Sequence, residues 1–331
     1  MRVLIVGAAG MLGGKLARRL AAAGRLREAE IESIALADVV EPAAPPGDAS
    51  VDTVVCDIAD PVAMRELLAA RPEVIFDLAA VVSGEAELDF ETGYRINLDG
   101  TRHLLEAVRL AGDGYRPRLV FSSSIAVFGP PFPDVIGDDQ ATTPATSYGT
   151  QKAIVELLIA DYSRRGFIDG IGIRLPTICV RPGAPNRAAS GFFSGIIREP
   201  LNGQEAVLPV ARDVRHWFAS PRAGVGFLLH AASVDTDMLG CRRSLTMPGV
   251  SASIEDEIAA LRRVGGEAAV ALIREERDPL IARVVDGWPR AFDARRATAL
   301  GFVAERDFDE IVRIHVEDEL GGLVPAAERP A

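Results

Sequence analysis

Apolar positions in the first half of the chain fall into short unbroken runs separated by longer stretches of helical period. Val3–Val6, Ile34–Ala37, Val51–Cys56, Val74–Leu78, Arg118–Ser122 and Gly170–Leu175 read as strands. Runs of this length, apolar at successive positions, suit strands covered on both faces. Between them Met11–Ala23, Pro61–Ala70, Asn97–Ala111 and Ser147–Ser163 carry the helical pattern. Alternation of this kind makes βαβ units, so the fold class expected is α/β, a Rossmann-like doubly wound parallel sheet. Glu41–Ser50 (EPAAPPGDAS) is a Pro/Ala loop between units.

Past Leu175 the alternation fades. Thr177–Pro209 is rich in Gly, Pro and Asn, with a helical insert near Phe192–Arg198; Ser253–Val264 and Asp307–Leu320 are amphipathic helices. The expected division is a dinucleotide-binding domain over 1–177, with 210–235 returning to it. A smaller C-terminal substrate-binding part takes 178–209 and 236–331. Ser147–Ser163 is unusual because it is apolar on nearly every side from Ala153 to Ala160. Such a helix is buried all round, either within the molecule or partly against a second subunit.

Composition narrows the class. The chain has 331 residues, 48% hydrophobic and 25% charged, which suits a globular protein with a large core. No apolar run reaches membrane-spanning length; Val74–Val82 is broken by Asp77. The N-terminal MRVLIVGAAG reads as a first strand rather than a signal peptide, so a cytoplasmic protein is expected. A formal charge of −11 argues against nucleic-acid and anionic-membrane partners. Cys56, Cys179 and Cys241 lie far apart, which suggests reduced, buried thiols and no metal site. The basic residues are arginine except for Lys15 and Lys152, so a lysine kept here stands out.

Gly7, Gly10 and Gly13 form G-x-x-G-x-x-G directly after a strand, opening a helix with Met11 and Leu12. Glycines let the backbone turn tightly and approach a pyrophosphate, and the helix N-terminus adds positive field. A purely structural turn would use the same residues. Asp38 ends the second strand, where a carboxylate accepts hydrogen bonds from the adenosine ribose and repels a 2′-phosphate. With no arginine just after it, NAD is the expected cofactor. Asp57, after the third strand, is placed to bind near the adenine.

Tyr148-x-x-x-Lys152 sets a phenol and an ammonium one helical turn apart, and no other tyrosine has a lysine four residues on. A phenol has an ordinary pKa near 10 and becomes a useful base only where positive charge favours the phenolate. It then takes a hydroxyl proton while hydride leaves the adjacent carbon. Ser122, Ser123 and Ser124 end a strand, facing the ligand crevice of a doubly wound sheet.

Taken in order, GAAGMLGG, Asp38, VCDI, DLAA, YRINLDGTRHLLEA, VFSSSIAVFG and YGTQK resemble the extended short-chain dehydrogenase/reductase superfamily over most of the chain. The resemblance implies Ser124 as the catalytic serine, Tyr148 as acid/base and Lys152 as its partner. Asp57, Ile58, Leu78, Ala79, Ala80, Asn97, Ser122, Pro176 and Thr177 would line the cofactor site. It also implies a homodimer through helices 97–111 and 147–163. Nucleotide-sugar epimerases of this superfamily carry an asparagine where this chain has Thr177, and a downstream pattern replaced here by Arg215–Arg222 (RHWFASPR). That segment and RLPTICVRPGAPNRAASGFFSGIIREPLNGQEAVLPV are similar to the D-erythronate dehydrogenase family, which implies NAD-dependent oxidation of a sugar acid at C2. A small sugar acid needs a carboxylate clamp, for which Arg215 and Arg222 are candidates, and hydroxyl-binding groups, for which Ser83, Asn186 and Ser190 are candidates. Each arginine can equally serve a surface ion pair. His216, beside Trp217, is expected to pack or support. The alternatives are an epimerase or dehydratase with tightly bound NAD, and a non-catalytic NAD sensor.

Overall fold

A computed structural model describes residues 1–47, 49–183 and 190–323. Two compact units emerge. The first comprises 1–127, 144–175 and 225–246; the second comprises 128–143, 176–224 and the chain from 247 onward. The return passage is thus 225–246, where 210–235 was expected. It returns because the short strand Ser244–Thr246 pairs with the sheet edge, a three-residue signal too brief for periodicity to register.

The first unit is built on a seven-stranded, wholly parallel sheet. Its strands are β1 (Arg2–Val6), β2 (Ser33–Asp38), β3 (Ser50–Val55), β4 (Val74–Asp77), β5 (Arg118–Ser124) and β6 (Asp169–Leu175), with Ser244–Thr246 seventh. Across the sheet the order is β3-β2-β1-β4-β5-β6 and then Ser244–Thr246. Strand order reverses between β1 and β4, and ligands of open α/β sheets bind beyond the strand ends at such a point. Central strands are buried nearly throughout, whereas the edge strand β3 exposes Val54 and Val55.

Helices α1 (Met11–Ala23), α2 (Pro61–Leu67), α3 (Ser83–Leu88), α4 (Phe90–Tyr94), α5 (Thr101–Leu110) and α6 (Ser147–Arg164) accompany this sheet. Local chemistry fixes their ends. Asp60 caps α2 through the Val62 and Ala63 N–H groups, with Pro61 in the first turn. Thr146 caps α6 through the Gly149 N–H at 3.1 Å. Between α4 and α5 one wide π turn, Arg95–Gly100, carries Asn97; such turns often mark functional sites. Leu4, Ile75, Leu104, Leu105, Phe121 and Val155 are among the core residues of this unit.

The second unit has a three-stranded sheet in which Arg215–Ala219 pairs parallel with Thr177–Ile178 and antiparallel with Val250–Ser253. Its core gathers Phe193, Ile197, Phe218, Ile258, Leu261 and Ile311 from this sheet and the helices Gly191–Leu201, Ile254–Val270 and Phe308–Glu319. Among the described residues no helix is long and apolar enough to cross a membrane, and no cluster of potential metal ligands occurs. The three thiols are free, Cys179 buried and Cys56 half-buried. Cys241 is exposed, where a buried thiol was expected, because it sits in the turn before Ser244–Thr246.

Candidate active site

The glycine turn follows β1 at the point of strand reversal. Gly7 has φ +86°, and a Cβ there would lie 2.6 Å from the Ala79 nitrogen. A side chain is therefore excluded both by backbone conformation and by the segment after β4. A Cβ on Gly13 would lie 2.3 Å from the Gly7 carbonyl, so only glycine lets α1 press against the turn. The first turn of α1, with Met11 and Leu12, has neither an acidic residue nor a side-chain cap. Its N–H groups stay available to an anion. Asp38 accepts hydrogen bonds from the Ala9 N–H at 2.9 Å and the Val39 N–H at 2.7 Å, which ties the end of β2 to the glycine turn. Leu78, Ala79 and Ala80 continue β4 beside Gly7.

Further along the same unit, Asp57 accepts from the Ala59 N–H at 2.9 Å and pairs with Arg95 at 2.7 Å. Ile58 packs into the core and touches Gly100, where a Cβ would meet its side chain at 2.7 Å. Asn97 is buried and spends its amide on structure. It accepts from the Val81 N–H at 2.9 Å and donates to the Val81 carbonyl at 3.2 Å and the Gln151 Oε1 at 2.7 Å. It thereby clips the chain after β4 to α6. Ser83 opens α3.

The three serines of β5 have separate fates. Ser122 Oγ donates to the Asp77 carbonyl at 3.1 Å, and Ser123 Oγ to Glu156 at 2.6 Å. Ser124 Oγ accepts from the Ala126 N–H at 3.1 Å and shares a hydrogen bond with Tyr148. The approach of α6 makes that last contact possible. A Cβ on Gly149 would lie 2.1 Å from the Ala126 carbonyl, so the first turn of α6 rests on the chain just past Ser124.

Lys152 is 1% exposed. Its Nζ donates to the Ser122 carbonyl at 2.8 Å and lies 4.6 Å from the Phe121 ring centre and 5.7 Å from that of Tyr148. Burial brings the ammonium down to about 8, partly offset by the charges of Asp77 and Glu156. Burial pushes the Tyr148 phenol up to about 12, against the pull of the Ser124 hydrogen bond. The sequence led us to expect a phenol lowered by the lysine and an oxidised nicotinamide together. Desolvation outweighs the lysine at Tyr148, since the ammonium is turned toward the Ser122 carbonyl.

Within the second unit, the Thr177 hydroxyl bonds His216 Nε2 at 2.7 Å, and His216 Nδ1 meets the Pro289 carbonyl at 3.0 Å. The imidazole stacks on Phe193, with ring centres 5.3 Å apart, and burial lowers it to about 4. Pro176 is buried beside Thr177. Ser190 precedes the helix Gly191–Leu201 without capping it through its side chain, and Asn186 lies outside the described residues. Arg215 pairs with Asp256 at 3.2 Å and donates to the Ser251 carbonyl. Arg222 binds both Glu317 and Asp318. Neither guanidinium is a free cation.

Residues that periodicity and motif reading missed are Asp77, Glu156, Gln151 and Arg181. An acid inside the apolar run VIFDLAA was the visible sign of Asp77, and an acid inside an otherwise apolar helix that of Glu156. Arg181 is half-buried beside Arg198 with no ion-pair partner among the described residues, and both its burial and that neighbour lower its pKa.

The family model described as NAD dependent epimerase/dehydratase matches residues 3–219, two thirds of the chain. The chain belongs to this family. Two relatives similar to this chain over its whole length are D-erythronate dehydrogenases. That of Cupriavidus necator is 48% identical, covering 96% of this chain and 98% of its own. That of Haemophilus influenzae is 41% identical, covering 97% and 100%. A crystal structure described as a nucleoside-diphosphate-sugar epimerase from Agrobacterium tumefaciens is 60% identical, with TM-score 0.96, covering 98% of this chain and 96% of its own. NAD is the cofactor. The glycine cradle that a Cβ would fill, the uncapped first turn of α1 and the Asp38 carboxylate fit a dinucleotide at the strand reversal.

Proposed function

We propose that this family member oxidises a short 2-hydroxy sugar acid at C2, converting D-erythronate to 2-oxo-tetronate. Whole-length identity of 48% and 41% to two D-erythronate dehydrogenases carries the reading. The geometry of Ser124, Tyr148 and Lys152 is consistent with it. When bound, NAD supplies the hydride acceptor and, in its oxidised form, a second positive charge. Tyr148 takes the C2 hydroxyl proton as the phenolate, Ser124 holds the reacting oxygen, and Lys152 favours the phenolate electrostatically. The C2–H pair leaves as hydride, the O–H proton goes to Tyr148, and a carbonyl forms.

The substrate carboxylate is assigned to Arg215 or Arg222. Either would exchange an acidic partner for the ligand, and the one that does so shows as a raised KM in its alanine variant. Ser83, Asn186 and Ser190 are the proposed hydroxyl contacts. Pro176 and Thr177 are proposed to complete the cofactor site. A homodimer through α5, α6 and the π turn is supported by Leu110 and Leu157, which are 59% and 72% exposed on those helices. Three free thiols are consistent with a cytoplasmic enzyme.

The second reading is a nucleotide-sugar epimerase, favoured by the description of the Agrobacterium structure. NADH absorbance separates the two. Net NADH with D-erythronate and none with UDP-sugars is expected. Epimerisation of a UDP-sugar without NADH release, and no turnover of four- to six-carbon sugar acids, would overturn the first reading.

A further inference from the structure

Lys152 is a buried cation whose surroundings must keep it charged. Three protons on its Nζ have one hydrogen-bond acceptor among the described residues, the Ser122 carbonyl. Two carboxylates act on it electrostatically, Glu156 and Asp77. Glu156 is committed elsewhere: its oxygens take the Ser123 hydroxyl at 2.6 Å and two Arg174 nitrogens at 2.6 and 2.9 Å. That pairing neutralises it within a buried ion pair.

Asp77 is different. It ends β4, is 1% exposed, and pairs across the sheet with Phe121, over whose ring the ammonium sits. Its Oδ2 accepts from the Thr101 hydroxyl at 2.8 Å. Its Oδ1 is buried without a hydrogen bond of ordinary geometry, and the nearby Ala79 N–H also acts on the carboxylate. No cation lies within ion-pair distance of it among the described residues; burial raises the carboxyl above the usual carboxylate range, and the Lys152 charge, the Thr101 hydroxyl and the Ala79 N–H oppose that rise. A buried carboxylate without a contacting cation is costly unless a nearby charge compensates it. The groups that act on it are Lys152 on α6, the Thr101 hydroxyl on α5 and the Ala79 N–H just after β4.

We propose that Asp77 is the counter-charge that keeps the Lys152 ammonium protonated, and through it a positioning residue for proton transfer at Tyr148. The inference rests on the reading that Tyr148 and Lys152 handle the substrate proton. Across a buried gap the Asp77 charge raises the proton affinity of Lys152, opposing desolvation. The charged lysine then favours the Tyr148 phenolate. Substituting Asp77 removes this support and leaves the lysine neutral at the pH where the phenol must ionise.

The chain has two lysines, Lys15 and Lys152, so side-chain heteronuclear NMR of the cofactor-free protein gives an uncrowded titration. Lys15→Arg assigns the two signals. The Lys152 midpoint is expected near 8 in the natural protein and lower by a factor of about ten in proton affinity in Asp77→Asn. The alkaline limb of kcat/KM on D-erythronate should move down with it. A merely structural role would lower activity without moving either. An Asp77→Asn midpoint within about twofold of the natural one overturns the proposal. Should that variant fail to fold, Lys152→Met gives the reciprocal measurement. Its Asp77 carboxyl, having lost its counter-charge, should titrate at a higher pH than in the natural protein by carbon NMR; an unshifted carboxyl midpoint would refute the coupling. Absence of any sugar-acid turnover in the natural protein defeats the functional reading alone, because the apo titration needs no substrate.

Discussion

Tyr148 shows how environment sets chemistry at the scale of one residue. Burial holds its phenol near 12, while Lys152, only one turn away, is itself driven down to about 8. Neither group is suited to its work alone, and the phenolate becomes accessible when further positive charge enters the site. Tyr148→Phe removes the proposed base while keeping the ring, so turnover of D-erythronate should drop by about 10²-fold or more. NADH fluorescence titration should still report binding, and full activity in this variant would exclude Tyr148 as the base. The Y-x-x-x-K spacing made this pair legible from the sequence. Asp77 left a weaker trace, an acid inside a strand, because its role depends on what packs across the sheet.

At the scale of elements, backbones approach one another where glycine permits. The turn after β1 meets the chain after β4 at Gly7, α1 meets the turn at Gly13, and α6 meets the chain after β5 at Gly149. Gly13→Ala must displace backbone rather than a flexible side chain. It should cost about 1–3 kcal/mol in urea unfolding and weaken NADH binding by about tenfold or more. An alanine variant with unchanged binding would show that the turn is not the phosphate cradle. The strand and helix succession was readable because each apolar run has its own period. The strand Ser244–Thr246 and helices such as Pro221–Ser233 were not anticipated, since their residues make sense only against neighbours distant in sequence.

For the whole molecule, stability and assembly follow from what is enclosed. His216 is buried among aromatic rings and depressed to about 4, whereas the unfolded chain protonates it near 6.5. The unfolded state therefore binds more protons between these values. The full contribution is present above pH 6.5 and is lost as pH falls toward 4, a change of about 3 kcal/mol. Melting temperatures between pH 7 and 4 should fall less steeply in His216→Gln, and parallel curves would contradict this assignment. Association is expected to depend on the apolar surface left on α5 and α6. Leu157→Glu should convert the proposed dimer to a monomer in sedimentation velocity, and a coefficient the same as that of the natural protein would contradict association through α6.

The alternation of strands β1–β6 with helices, the glycine turn, the acid ending β2 and the Tyr–Lys pair are local patterns, so the amino-acid sequence determined them unaided. Periodicity and short spacings depend only on neighbours along the chain. Tertiary structure decided which serine of three meets Tyr148, that the arginines at 215 and 222 already hold acidic partners, and that Asp77 on β4 pairs across the sheet with the Phe121 over whose ring the Lys152 ammonium sits. Those facts depend on burial and on groups brought together from distant segments, where desolvation and charge act across space and leave no periodic mark.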